Sequence, residues 1–494
     1  MSFRNRICPQ RYIFLSTSAN PLLTHSRAGT ERPEIAIKLL VFKSIASEID
    51  LRNSSLEKVT RIRLNVITNS IRLFERDELR REIDMLNKRF CSTLHRSAIV
   101  TLLLTVIAAL PANAEHSYRV LYTTLYSFCS QTDCSDGSDP LATLIQASDG
   151  KLYGTTDTGG ANYYGTVFKI SLSGTLTTLY NFCSQSYCAD GGYPHAGLIQ
   201  ATDGNFYGEA LTGGANRYYG TVFKITPSGT LTTLYSFSGP DGAEPDGGLI
   251  QASDGSFYGT TAAGGTKTCL FGYSCGTVFK ITPSGTLTTL YNFSGPDGEE
   301  PYGGLIQATD GNFYGTTFAG GTVDAGTVFK ITPSGTLTTL YSFCSLPNCN
   351  DGGFPHAGLI QARNGDLYGT TFTGGANNDG TVFKITPSGR LTTLHAFDGN
   401  DGGEPTDVLI QASDGNFYGT AVAGGAKGGA SGLGTVFKIT PRGRLTTLHT
   451  FDGSDGSNPW AGLVQASDGN FYGTTYVGGA NDDGTVFRLA LARK

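Results

Sequence analysis

Seven positions that each follow a proline carry the widest chemical range in the chain: Leu141, His195, Asp246, Tyr302, His356, Thr406 and Trp460. An active site needs unlike groups at unlike positions, such as an acid, a base and a charge stabiliser. In a repetitive chain such groups can arise only where the repeats disagree, and these seven positions disagree most. Imidazole, carboxylate, phenol and indole gathered around a concavity suit a binding surface. His195, Tyr302, His356 and Trp460 are therefore candidate ligand-binding residues. The glycine-rich loops add a second variable set: Tyr163, Tyr164, Arg217, Tyr218, Tyr219, Lys267, Phe271, Tyr273, Asn377, Asp379, Lys427, Asn481 and Asp483. From these, Tyr164, Tyr218 and Tyr219 join the ligand-binding candidates. Ordinary variation of loops on a scaffold is the competing explanation for both sets.

The one catalytic candidate is Glu209. It stands where the other repeats have Thr155, Thr260, Thr316, Thr370, Thr420 and Thr474. A lone carboxylate there could act as a general base or a calcium ligand, but drift at a single position accounts for it more simply. An Asp-Gly pair recurs at Asp136, Asp190, Asp241, Asp297, Asp351, Asp401 and Asp455. Aspartate caps backbone N–H groups in turns, so a structural turn is expected at each in place of a calcium ligand. No metal site and no cofactor are assigned; calcium is the one ion the residue types would admit.

Eight cysteines form four close pairs, Cys129–Cys134, Cys183–Cys188, Cys269–Cys275 and Cys344–Cys349, and each pair accompanies a loop longer than its counterparts. Local disulfides that staple the insertions are expected. His195 and His356 each follow a cysteine pair, but the spacing fits zinc poorly and Leu141 takes the third histidine position.

These residues hang on a repeat. A (S/T)DGxxYG motif recurs with its Asp or Asn at 149, 203, 254, 310, 364, 414 and 468. GTVF recurs from 165, 220, 276, 326, 380, 434 and 484, and a motif near TTLYxF from 123, 177, 232, 288, 338, 392 and 446. The fourth copy predicts strands over 304–309, 313–317, 327–332 and 336–343, rich in β-branched and aromatic residues and bounded by turn residues. Seven such units predict an all-β, seven-bladed β-propeller with four antiparallel strands per blade. The last GTVF strand has no following partner, while a TTLYSF strand precedes the first complete repeat. The N-terminal strand is therefore expected to complete the seventh blade as its outer strand and close the ring. The fixed Tyr and Phe of the motifs are expected to pack between blades.

The remainder of the chain differs in kind. Residues 115–494 carry 18 Lys+Arg against 31 Asp+Glu, an acidic body that argues against a nucleic-acid partner. Residues 85–114 combine a basic start, an apolar run and Pro111-Ala112-Asn113-Ala114, the pattern of a signal peptide that leaves no stable membrane span after cleavage. Residues 1–84 are expected to be an over-extended reading of the gene, with translation starting at Met85. A secreted or periplasmic monomer is expected.

The string GLIQASDGNFYGTT…GG…GTVFKITPSGTLTTLYSF resembles the bacterial repeat named after Gloeobacter and Verrucomicrobium, over about residues 118–494. The resemblance implies an exported protein and no particular activity. Members often end in a surface-anchoring segment, which residues 487–494 do not match, so surface attachment is not expected. The strand layout is more distantly similar to NHL-repeat and gluconolactonase-type propellers. A binding module for a carbohydrate or protein is thus the leading expectation. A calcium-dependent lactonase or hydrolase and a structural cell-envelope protein are the alternatives.

Overall fold

The computed structural model describes residues 118–269, 275–425 and 432–493. The expected signal peptide and the segment before it lie outside the described residues, as do Phe271, Tyr273 and Lys427. Among the described residues no helix is long and apolar enough to cross a membrane.

Seven four-stranded antiparallel sheets form a ring. In blade 1 the strands run, from the axis outward, over Ile145–Gln146, Leu152–Thr156, Thr166–Ile170 and Leu176–Asn181. Blades 2 to 6 repeat this order. Blade 7 consists of Val464–Gln465, Phe471–Thr475 and Thr485–Arg493, and its outer strand is Tyr118–Ser127. The register runs from Tyr118 opposite Arg493 to Ser127 opposite Thr485, with a bulge between Thr124 and Tyr126. The expected closure is thus formed.

One strand expectation needs correction. The innermost strand of blade 4 pairs only over Ile306–Gln307, not over 304–309. The preceding residues crowd the axis: a Cβ on Gly304 would lie 2.3 Å from the Gly247 carbonyl oxygen of the neighbouring blade. The chain there packs against the backbone of the neighbouring blade instead of pairing within its own.

The second strand of every blade is buried on both faces, because it lies between neighbouring blades. Seven apolar clusters fill the seven blade interfaces. Tyr153, Tyr207, Tyr258, Tyr368 and Tyr418 stack on the Phe of the next blade with centroids 4.1–4.2 Å apart. At the two remaining interfaces Leu367 and Leu152 take the Phe place. The expected packing role of the motif aromatics is met.

The glycine of the Tyr-Gly motif makes room for this core. A Cβ on Gly315 would sit 2.6 Å from Cζ of the buried Phe329. Gly315→Ala is expected to cost about 1–3 kcal/mol by overpacking, read as a lowered denaturation midpoint at unchanged m.

A polar clasp reinforces the ring. Gln146, Gln200, Gln251, Gln307, Gln361, Gln411 and Gln465 each accept, through Oε1, a backbone N–H of the preceding blade at 2.7–3.0 Å. Each Nε2 donates to a glycine carbonyl in its own hairpin turn. The pair Gln146–Ser467 closes the circle.

Candidate functional site

The connection between blades and the loop between second and third strands meet on one face, bridged by pairs such as Gly192 with Thr212 and Ser457 with Val477. The repeated Asp-Gly aspartates organise the connections. Asp190 accepts from the Ser184 and Gln185 N–H groups and from the Tyr180 and Ser184 hydroxyls. Asp241 and Asp297 accept from Tyr235 and Tyr291, and Asp401 and Asp455 from His395 and His449. Their carboxylates are spent on turns, as the Asp-Gly pattern predicts. All four expected disulfides are present, so the cysteine sulfurs are not metal ligands beside His195 or His356.

On this face a cavity of about 840 Å³ is lined by residues of all seven blades, and all seven post-proline positions line it. The proline fixes their approach. The residue before it has a left-handed backbone in every blade: Asp139, Tyr193, Glu244, Glu300, Phe354, Glu404 and Asn458, with φ between 50° and 57°. Its N–H reaches the Gly-Gly loop of the preceding blade, as Tyr193 N–H does to Tyr164 O at 2.9 Å. Its carbonyl accepts from the residue after its own blade's second strand, as Tyr193 O does from Leu211. The post-proline side chain is thereby aimed at the axis.

The mouth has two unlike walls. Blades 4, 5 and 7 supply an aromatic wall. The Tyr302 and His356 rings stack at 5.1 Å and 11°, and Trp460 meets His356 edge-on at 6.0 Å. Phe318 supports both Tyr302 and His356 from the side. Thr406, between blades 5 and 7, ties them together: its carbonyl accepts from His356 Nδ1 at 3.2 Å, and its hydroxyl donates to the Trp460 carbonyl at 3.0 Å. The rings are thus held in place before any ligand arrives.

Blades 1 to 3 supply an ionic wall. His195 lies between two carboxylates, with Nε2 3.0 Å from Asp157 Oδ1 and Nδ1 3.3 Å from Asp246 Oδ1. Burial disfavours the imidazolium, but Asp157 and Asp246 outweigh it and hold His195 up at about 10. His195 is therefore a cation at neutral pH, and the trio carries a net negative charge. A folded-state value above the ordinary 6.5 means that the stabilisation is complete below pH 6.5 and fades as pH rises through about 10. His195→Gln is expected to cost about 1–2 kcal/mol at pH 6, reduced by solvent in the cavity, and nothing above pH 10. Urea titrations of both proteins at the two pH values check this.

Two further carboxylates lie beside this wall, one in the cavity lining and one buried behind it. Asp407 accepts from Gly462 N–H and Val408 N–H at 2.6 Å and from the Thr143 hydroxyl, linking blades 6, 7 and 1. Burial pushes its carboxyl up. Glu209 is fully buried and does not line the cavity. Its Oε2 accepts from Gly248 N–H at 3.0 Å, while Oε1 has no hydrogen-bond partner. Gly248 has φ +77°, whereas the glycines at the same place in other blades, such as Gly197 and Gly358, are not left-handed. The glutamate and the left-handed Gly248 peptide form one local arrangement, with Oε1 left unpaired. Burial pushes its carboxyl up to about 8, with the Asp246 charge adding and the Gly248 N–H opposing.

The loop candidates among the described residues do not line the cavity. Tyr164 packs against Tyr193 at 5.1 Å and into the interface of blades 1 and 2. Tyr163, Tyr218 and Tyr219 are exposed, by 61%, 72% and 38%. Arg217 covers Tyr187 at 3.8 Å. Asn377 and Asn481 are tethers, donating to the carbonyls of Phe397 and Phe128. The motif comparison missed Asp157, Asp407 and Tyr476, which all line the cavity. Thr143, Asp407 and Val408 interrupt an otherwise small-Gly-Leu pattern before the innermost strand, a signal that was available.

No curated protein matches the chain. Among solved structures it is similar to a gluconolactonase from Xanthomonas campestris, at 16% identity and TM-score 0.38, over 63% of this chain and 87% of that one. It is also similar to a periplasmic gluconolactonase from Pseudomonas aeruginosa, at 16% identity and TM-score 0.42, over 67% and 95%. Neither likeness bears on the chemistry of the mouth. The Gloeobacter/Verrucomicrobia repeat matches four times, over residues 116–269, 184–364, 252–429 and 345–494. With its motifs placed in seven closed blades, the chain belongs to the Gloeobacter/Verrucomicrobia repeat family.

Proposed function

We propose that this protein is an extracytoplasmic binding module that holds a carbohydrate segment in the mouth of its central channel. The supporting observation is the pairing of a preorganised aromatic wall with a carboxylate–imidazolium wall across one cavity. A pyranose ring has the matching halves, a C–H face that stacks on aromatic rings and an edge of hydroxyls that hydrogen-bond to charged groups. The volume falls in the usual range for small-ligand pockets. A concave mouth suits a narrow ligand better than a flat protein face. Four disulfides support an oxidising compartment, and hence secretion or a periplasmic site. The hydrolase alternative gains no support from Glu209, which is buried away from the cavity.

The test is calorimetric titration of the full chain with neutral and charged oligosaccharides identified on a glycan array. Trp460→Ala is expected to weaken binding by at least about tenfold, the loss of one stacked anchor. Tyr218→Ala, on the outer loops, is expected to change it by less than about twofold. The reverse pattern, or an array on which nothing binds, would overturn the proposal.

A further inference from the structure

The cavity has a charge preference that the proposed function does not by itself require. Three carboxylates line it, Asp157, Asp246 and Asp407, and among the described residues lining it there is no lysine or arginine. The His195 ring is already matched by Asp157 and Asp246, and the other histidine of the lining, His356, is stacked on Tyr302 with its Nδ1 turned to the Thr406 carbonyl. Asp407 is committed to backbone N–H groups and Thr143. An anionic ligand such as a uronate or a phosphate would find no lysine or arginine here. It would also place a negative charge beside a trio that is already negative.

The rim has the same sign. Glu244, Glu300 and Glu404 occupy three of the seven left-handed positions before the prolines. The aromatic wall is compatible with the same ligand charge, because the faces of Trp460 and Tyr302 attract cations.

We infer that the mouth selects a sugar bearing a protonated amine, stacked on Trp460 and Tyr302 with its ammonium directed to Asp246. The inference rests on the carbohydrate-binding proposal and adds the ligand's charge class. The attraction comes from half-buried carboxylates in a concave site, where charge complementarity weighs more than on an open surface.

The experiment compares two ligands of one backbone: the β-1,4-linked tetramer of glucosamine and its fully N-acetylated counterpart. Both are titrated into the full chain at mildly acidic pH, where the free amines are protonated. The amine form is expected to bind at least about tenfold more tightly. Asp246→Asn is expected to remove most of that advantage, weakening the amine tetramer far more than the acetylated one. Trp460→Ala is expected to weaken both ligands alike. Thermal melts establish that each variant is folded.

Equal binding of the two tetramers by the wild type, or tighter binding of the acetylated one, overturns the charge inference and leaves carbohydrate binding standing. An amine preference that survives Asp246→Asn is adsorption on the acidic surface and overturns it as well. Failure of both tetramers, with other sugars still bound on the array, overturns the charge inference alone. Failure of every sugar removes the proposed function too.

Discussion

Deleting residues 118–127 is expected to open the ring and cost more than about 5 kcal/mol. The strand forms the whole outer edge of blade 7, paired along Thr485–Arg493. It also carries Tyr122, which stacks on His449 at 3.9 Å, lies 5.3 Å from Phe487 and donates its hydroxyl to the Asp455 carbonyl. Loss of one such aromatic from a packed site typically costs about 3–5 kcal/mol. Val120 packs in the same cluster and would be lost with it. The deletion also bares the edge of the last strand, a ready template for association. The deleted protein should therefore melt lower and run larger in size exclusion. Tyr122→Ala should show a milder form of both effects. An unchanged melting temperature on deletion would mean that the strand is not the closing element.

The second large effect concerns pH. Glu209 is held up at about 8 against an ordinary 4.5, chiefly by burial. A carboxyl whose value is raised by folding adds stability below its unfolded value and loses it as pH rises through its folded one. Between about pH 4.5 and 8 the wild type should therefore lose on the order of 4 kcal/mol from this group. Glu209→Gln keeps an oxygen for the Gly248 N–H and cannot ionise, so the loss that Glu209 causes over that window should be absent from it. Above pH 8 the variant should be the more stable protein. The His195 contribution fades from about pH 6.5 to about 10 in both proteins, so the Glu209 effect is read from the difference between their curves. Parallel curves for wild type and Glu209→Gln would show that Glu209 ionises freely.

Much of this architecture is legible in the chain. Three motifs recurring seven times state the blade count, and the unpaired GTVF strand at 484 states how the ring closes. These features are readable because they rest on local rules, alternation in strands and Asp-Gly in turns. The contact between His195 and Asp157 is not readable in that way. It joins blade 2 to a residue that follows the second strand of blade 1, and its geometry depends on the proline and the left-handed residue before it. The stack of Tyr302 on His356 likewise joins neighbouring blades at the axis. The sequence ranks Tyr218 and Tyr164 with these residues because they are variable and aromatic. Only packing tells them apart: Tyr164 is wedged into a blade interface and Tyr218 faces outward. At Glu209 the departure from Thr is visible in the sequence, but the left-handed peptide at Gly248 that its Oε2 accepts from is not.

The most direct test of the binding site is a crystal structure of the full chain soaked with the oligosaccharide that binds most tightly. A sugar ring lying on Trp460 and Tyr302, with polar contacts to Asp246 or His195, is the predicted result. A sugar seated on Tyr163 and Tyr218, with the central mouth holding only solvent, would contradict it.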